Sequence, residues 1–183
     1  MTRSGRNNMN FADSRKMTLN MTVTAMFTAM NIILSMSIFS IPVPGGHLYF
    51  CDVIINTAAM LLNPLSAFIA GGVGSFLGDF LFYPAPMFVS LVTHGLQAAA
   101  VSFISHRFIQ RQPVLSSGIA VTVGSIIMVI GYTLGRAYVY ATPEIAIAKI
   151  PFEILQAAVG AVVAVIICYP LRLKNIFHKN VGL

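Results

Sequence analysis

The chain has 183 residues, of which 57% are hydrophobic and only 9% charged. A soluble domain carries about 25% charged residues, and here 90 consecutive residues between Lys16 and Arg107 contain no Lys or Arg at all. That stretch cannot cover a water-facing surface, which excludes a soluble globule, and its hydrophobicity excludes disorder.

At roughly 20 residues per membrane helix, the length predicts about six helices and one membrane domain, with no room for a soluble catalytic domain. In chain order, residues 1–16 form a basic tail, and the first span runs from Met17 to Phe39. It is longer than the apolar core of a signal peptide and reads as a retained helix. Ser40–Gly46, with two prolines and two glycines, breaks it. A short apolar piece follows from about Leu48 to Leu62, then the Asn63-Pro64 turn signal. Further segments run over Leu65–Phe82, Met87 to about Phe108, and about Ser116 to Tyr138. Residues 141–148, with Pro143 and Glu144, read as a loop before a last segment from Lys149 to Tyr169. The membrane domain thus covers 17–172, and 173–183 is a second tail. The expected fold class is an all-α integral membrane protein with six transmembrane helices. The segments are too long and too uniformly apolar for the strands of an outer-membrane barrel.

Charge sets the orientation. Cytoplasmic flanks attract Lys and Arg. Arg3, Arg6, Arg15 and Lys16, then Arg107 and Arg111, then Arg172, Lys174 and Lys179 all fall on one side if four and then two crossings separate them. Both termini are therefore expected in the cytoplasm. The net charge of +6 is explained by topology, and no nucleic-acid partner is expected. Cys51 and Cys168 map to opposite faces of the bilayer, too far apart for a disulfide.

Polar side chains inside a membrane are costly and need an internal partner or a water-filled cavity. Several sit on single helical faces at i, i+4 spacing. These are Asp52 and Asn56; Asp79 and Tyr83; Ser90, His94 and Gln97; Tyr132 and Arg136, continued by Tyr140; and Lys149, Glu153 and Gln156. The six-crossing topology puts every group in the outer half of the membrane. This predicts a polar pocket opening outward, with Gly46, His47 and Tyr49 in a mobile lid. Lys149 and Glu153 also have the spacing of an intrahelical ion pair. Ala25 and Ala29 make a small-xxx-small face on the first helix. No P-loop, dinucleotide fingerprint or paired metal-ligand motif occurs.

With these features in order, the chain resembles the substrate-binding S component of energy-coupling factor vitamin transporters. The resemblance spans about residues 17–172. It rests on the six-helix length, Ala25-x-x-x-Ala29, Asp52, Asn63-Pro64, the Gly71–Asp79 run and the Lys149–Gly160 segment. It points to the riboflavin-type superfamily, nearest the hydroxymethylpyrimidine branch. The resemblance implies a multi-pass protein of the bacterial cell membrane that is not an enzyme. Its partners would be the bilayer, a vitamin, a transmembrane T component and two cytoplasmic ATPases. ATP and magnesium would sit on those partners, with no cofactor or metal in this chain. Ala25 and Ala29 would form the docking face. A small heteroaromatic suits the polar groups: Glu153, Asp79 or Gln156 would pair with an aminopyrimidine, and Tyr83, Phe88, Tyr132 or Phe152 would stack on the ring. Pyridoxine, riboflavin and pantothenate are the alternatives. The alternative of another class is a small intramembrane enzyme using Asp79, His94 and Glu153 as acid and base.

Overall fold

A computed structural model describes residues 3–36, 40–108, 111–171, 173–175 and 177, with side chains from residue 14 onward. The expected end of the first span at Phe39, the side chains of Arg3 and Arg6, and Arg172 and Lys179 lie outside the described residues.

Among the described residues, six helices build the bundle. α1 covers Arg3–Leu34, so its backbone runs as helix well into the basic tail. α2 is Cys51–Leu61, α3 Pro64–Phe82, α4 Met87–Arg107, α5 Pro113–Tyr140 and α6 Pro143–Cys168. Five contain stretches long and apolar enough to cross a membrane; α2, with 11 residues, does not. It is about 16 Å long, short of the roughly 30 Å hydrocarbon core. Nine of its eleven residues are buried, so α2 is sheathed by protein rather than by lipid.

Three boundaries differ from expectation. The 141–148 stretch is not a loop: α6 begins at Pro143, and Lys149 lies in its second turn. α5 begins at Pro113 rather than Ser116. In both cases proline occupies the first helical position, where its missing N–H costs nothing and its fixed φ suits the helix. The break after α1 is not an unstructured turn. Ile41–Val43 (β1) and Gly46–Leu48 (β2) pair antiparallel in a small hairpin. Its tip needs left-handed backbone at Gly45 and Gly46, with φ of 80° and 145°. The helix that follows therefore starts at Cys51, not Leu48.

The Asn63-Pro64 signal holds. The Asn63 side chain caps α3 by accepting from the Ser66 N–H at 3.0 Å, and Pro64 opens the helix. Mid-way along α3, residues Ile69–Val73 widen into a π-turn. Asn31 of α1 donates there to the carbonyls of Ala70 and Gly71 at 2.9 and 3.0 Å and to Ser75 Oγ at 3.1 Å. The same region meets α4 closely: a Cβ on Gly72 would stand 2.7 Å from the Leu91 carbonyl oxygen. This approach fixes the depth of His94 relative to α3.

The helices alternate in direction. The hairpin, the starts of α2, α4 and α6, and the ends of α1, α3 and α5 share one end of the bundle. The opposite end is closed by Phe177, which packs with Ala58, Leu61, Leu62 and Ala70. Arg15, Lys16, Arg107, Arg111 and Lys174 belong to that end.

Candidate ligand-binding site

The polar faces converge as their spacing predicts. A cavity of about 430 Å³ lies at the hairpin end, within the roughly 300–1,000 Å³ of sites for small molecules. Of the expected site residues, Asp79, Tyr83, His94, Tyr132, Arg136, Lys149, Glu153 and Gln156 line it. So do Gly46, His47 and Tyr49 of the hairpin segment. Asp52, Asn56 and Gln97 do not; they are fully buried beneath it. Ser35, Cys51, Ser75, Met128 and Tyr140 also line the cavity. Cys51 is a buried core thiol that also reaches the cavity wall. Phe88 packs against Phe76, with ring centroids 5.6 Å apart, and neither it nor Phe152 lines the cavity.

Three polar clusters organise the walls. On α3, Asp79 accepts from Ser90 of α4, which in turn accepts from the Tyr132 hydroxyl of α5 at 2.6 Å. On the opposite wall, Glu153 of α6 pairs with Arg136 of α5, not with Lys149 as the i, i+4 spacing suggested. Thr133 adds a contact to Glu153 at 3.4 Å. The guanidinium also lies 5.6 Å from the centre of the Tyr140 ring. Beneath the cavity, Asp52 gathers the side-chain amides of Gln97 and Gln156 at 2.9 and 2.7 Å.

The hairpin is held onto α6. Lys149 donates to the His47 carbonyl, and the Tyr49 backbone N–H donates to Gln156 Oε1 at 3.0 Å. A Cβ on Gly45 would lie 3.3 Å from both the Ile145 carbonyl oxygen and Lys149 Cβ, so the tip sits tightly on that helix. Burial, reinforced by the Asp79 carboxylate, pushes the Tyr49 phenol up to about 12, so it stays a neutral donor. Lys149→Met should release this latch. Hydrogen exchange of residues 41–49 is expected to rise several-fold while the helices keep their protection; unchanged exchange would show that Lys149 does not hold the hairpin.

Two carboxylates and two cations line the cavity, and Asp52 adds a third carboxylate below. With Glu153 tied to Arg136, Asp79 is the lining carboxylate that carries no ion pair among the described residues. The site thus offers an acceptor wall at Asp79 and a cationic wall at Arg136 and Lys149, with tyrosines between them. Cys51, Asp52 and His94 also bring possible metal donors within 4.8 Å of one another. Both Asp52 oxygens and His94 Nδ1 carry hydrogen bonds within the polar network.

The fold and site define a multi-pass α-helical membrane protein that holds a small-molecule cavity at one end of its bundle. The chain matches the family described as "ECF-type riboflavin transporter, S component" over residues 15–173. It belongs to that family of vitamin-transporter substrate-binding subunits. It is also 35% identical, over 125 residues, to a Pyrococcus woesei protein described as "Uncharacterized protein in gap 3'region". That match covers 67% of this chain and 82% of the relative.

Proposed function

We propose that this chain captures a heteroaromatic vitamin or vitamin precursor from outside the cell, with hydroxymethylpyrimidine the first choice. It would deliver the ligand by docking on a T component driven by two ATPases. The observation that carries this reading is the cavity itself: enclosed by the hairpin, lined with tyrosines, and supplied with an unpaired carboxylate at Asp79. An aminopyrimidine offers a donor amino group to that carboxylate and a ring face to Tyr83 or Tyr132. Pantothenate, an anion, would have to meet Lys149, because Arg136 is already paired with Glu153. Riboflavin is the second reading, favoured by the cavity's volume and by the family's description. The intramembrane-enzyme reading is weakened because Glu153 is tied to Arg136 and not free to move a proton.

Native mass spectrometry of the purified protein tests the ligand. A retained mass matching hydroxymethylpyrimidine supports the first choice, and a flavin mass supports the second. Turnover by the chain alone would replace both with an enzyme. For the partners, Ala25 and Ala29 are exposed on α1 beside Met21, Met26 and Met30, as a docking face requires. Ala29→Trp should block the close approach of another helix. Loss of the co-purifying T component and ATPases, with the bound ligand retained, is the expected outcome; an intact complex would move the docking face elsewhere.

A further inference from the structure

We infer that Asp52, which does not reach the cavity, decides which nitrogen His94 offers to the ligand. A carboxylate only accepts hydrogen bonds. Asp52 is fully buried in the first turn of α2. Its Oδ1 accepts from Gln97 Nε2 at 2.9 Å, and its Oδ2 accepts from Gln156 Nε2 at 2.7 Å. Each amide therefore has its nitrogen on Asp52 and its oxygen turned the other way. Reversing either would set an amide oxygen against a buried carboxylate, two acceptors with no hydrogen between them.

The two oxygens do different things. Gln156 Oε1 accepts the Tyr49 N–H at 3.0 Å and so anchors the end of the hairpin. Gln97 Oε1 lies 2.7 Å from His94 Nδ1. An amide oxygen cannot donate, so the hydrogen in that contact belongs to the imidazole. Neutral His94 is then the Nδ1–H tautomer, and its Nε2 carries a bare lone pair. The ring lines the cavity and meets Tyr132 edge-on, with centroids 5.1 Å apart. With Nδ1 turned to Gln97, Nε2 is the nitrogen the ring can offer the cavity.

Asp52 is thus a positioning residue. Through two glutamines it orients a ligand acceptor on one side and the hairpin on the other. The ligand class follows, resting on the binding role proposed above: the group that meets His94 is an N–H or O–H donor, such as an exocyclic amino group or a hydroxyl, and not a carbonyl or carboxylate.

The tautomer can be read without any ligand. Full-length protein labelled with nitrogen-15 at histidine is placed in lipid nanodiscs, and His94→Gln identifies the signal by its loss. The expected result near neutral pH is a proton on Nδ1 and none on Nε2. In Asp52→Asn the residue can donate as well as accept, so the Gln97 orientation is no longer forced. The His94 signal should then become a mixture or move to the Nε2–H form. Gln97→Met removes the acceptor and should do the same in a variant that keeps Asp52. A native ring protonated on Nε2, or on both nitrogens, overturns the inference. So does a native-like tautomer in both variants. Because no ligand is present, failure here leaves the vitamin reading standing, and an unexpected mass in the ligand experiment leaves the tautomer result standing.

Discussion

Glu153→Ala is expected to lower stability by about 3–5 kcal/mol and to abolish ligand retention. The Arg136–Glu153 pair is almost completely enclosed, with 9% and 3% of the two side chains exposed. Removing the carboxylate leaves a guanidinium buried without its counter-charge, next to the Tyr140 ring. The cost comes from that stranded charge rather than from a lost attraction, because a buried pair repays little more than its own desolvation. The double replacement Arg136→Met with Glu153→Leu separates the two roles. It removes both charges at similar bulk, so thermal unfolding in detergent should recover most of the loss. Ligand retention should not recover, because Lys149 is all that then remains of the cationic wall. A single Glu153→Ala variant as stable as the native protein would show that the pair is hydrated rather than buried.

Gly160→Ala should be nearly as damaging, for a steric reason. A Cβ there would stand 2.5 Å from Asp52 Cβ and 3.2 Å from the Asp52 carbonyl carbon. The nearest obstacle includes backbone, so α2 and α6 must move apart. Overpacking of this kind costs about 1–3 kcal/mol, and the shift would pull Asp52 away from Gln156. Loss of ligand binding with the helices intact is the expected phenotype. Gly118→Ala is the control: nothing lies within 4 Å of its would-be Cβ. Alanine there should be neutral or stabilise by up to about 1 kcal/mol. Equal behaviour of the two variants would contradict the close packing of α2 on α6.

The apolar runs made the helices legible, and the i, i+4 polar faces made the cavity legible. Periodicity states which residues share a face, but not which neighbour that face meets. Glu153 sits one turn from Lys149, yet its partner is Arg136 on another helix. Asp52 and His94 look alike as polar residues in apolar segments. One lies under the floor and the other in the wall, because depth depends on how closely α3 and α4 approach at Gly71 and Gly72. Asn31 carries no signal in the sequence: its role depends on a π-turn in α3, which leaves carbonyls that an α-helix would satisfy internally. Ser35 and Ser75 give no pattern at all, being small residues that matter only because the cavity reaches them. The starts of α5 and α6 are readable in principle, since proline at the first position is a start signal as much as a break.

The end of α5 nearest the hairpin holds a second π-turn, Arg136–Tyr140. Such a turn contains one residue more than an α-helical turn, and is the footprint a single inserted residue leaves in a helix. Its register is therefore removable. Tyr138 is 80% exposed and lines nothing in the cavity. Deleting it would let the turn relax to ordinary helix while the residues on either side stay close to their places, because the wide turn already absorbs the extra residue. Arg136 would keep its place on Glu153, and Tyr140 would still face the cavity. A protein that still folds, holds the ion pair and retains its ligand is what such a one-residue deletion should yield. The end of α5 thus tolerates a change of length that an uninterrupted helix would pass on as a rotation of everything beyond it.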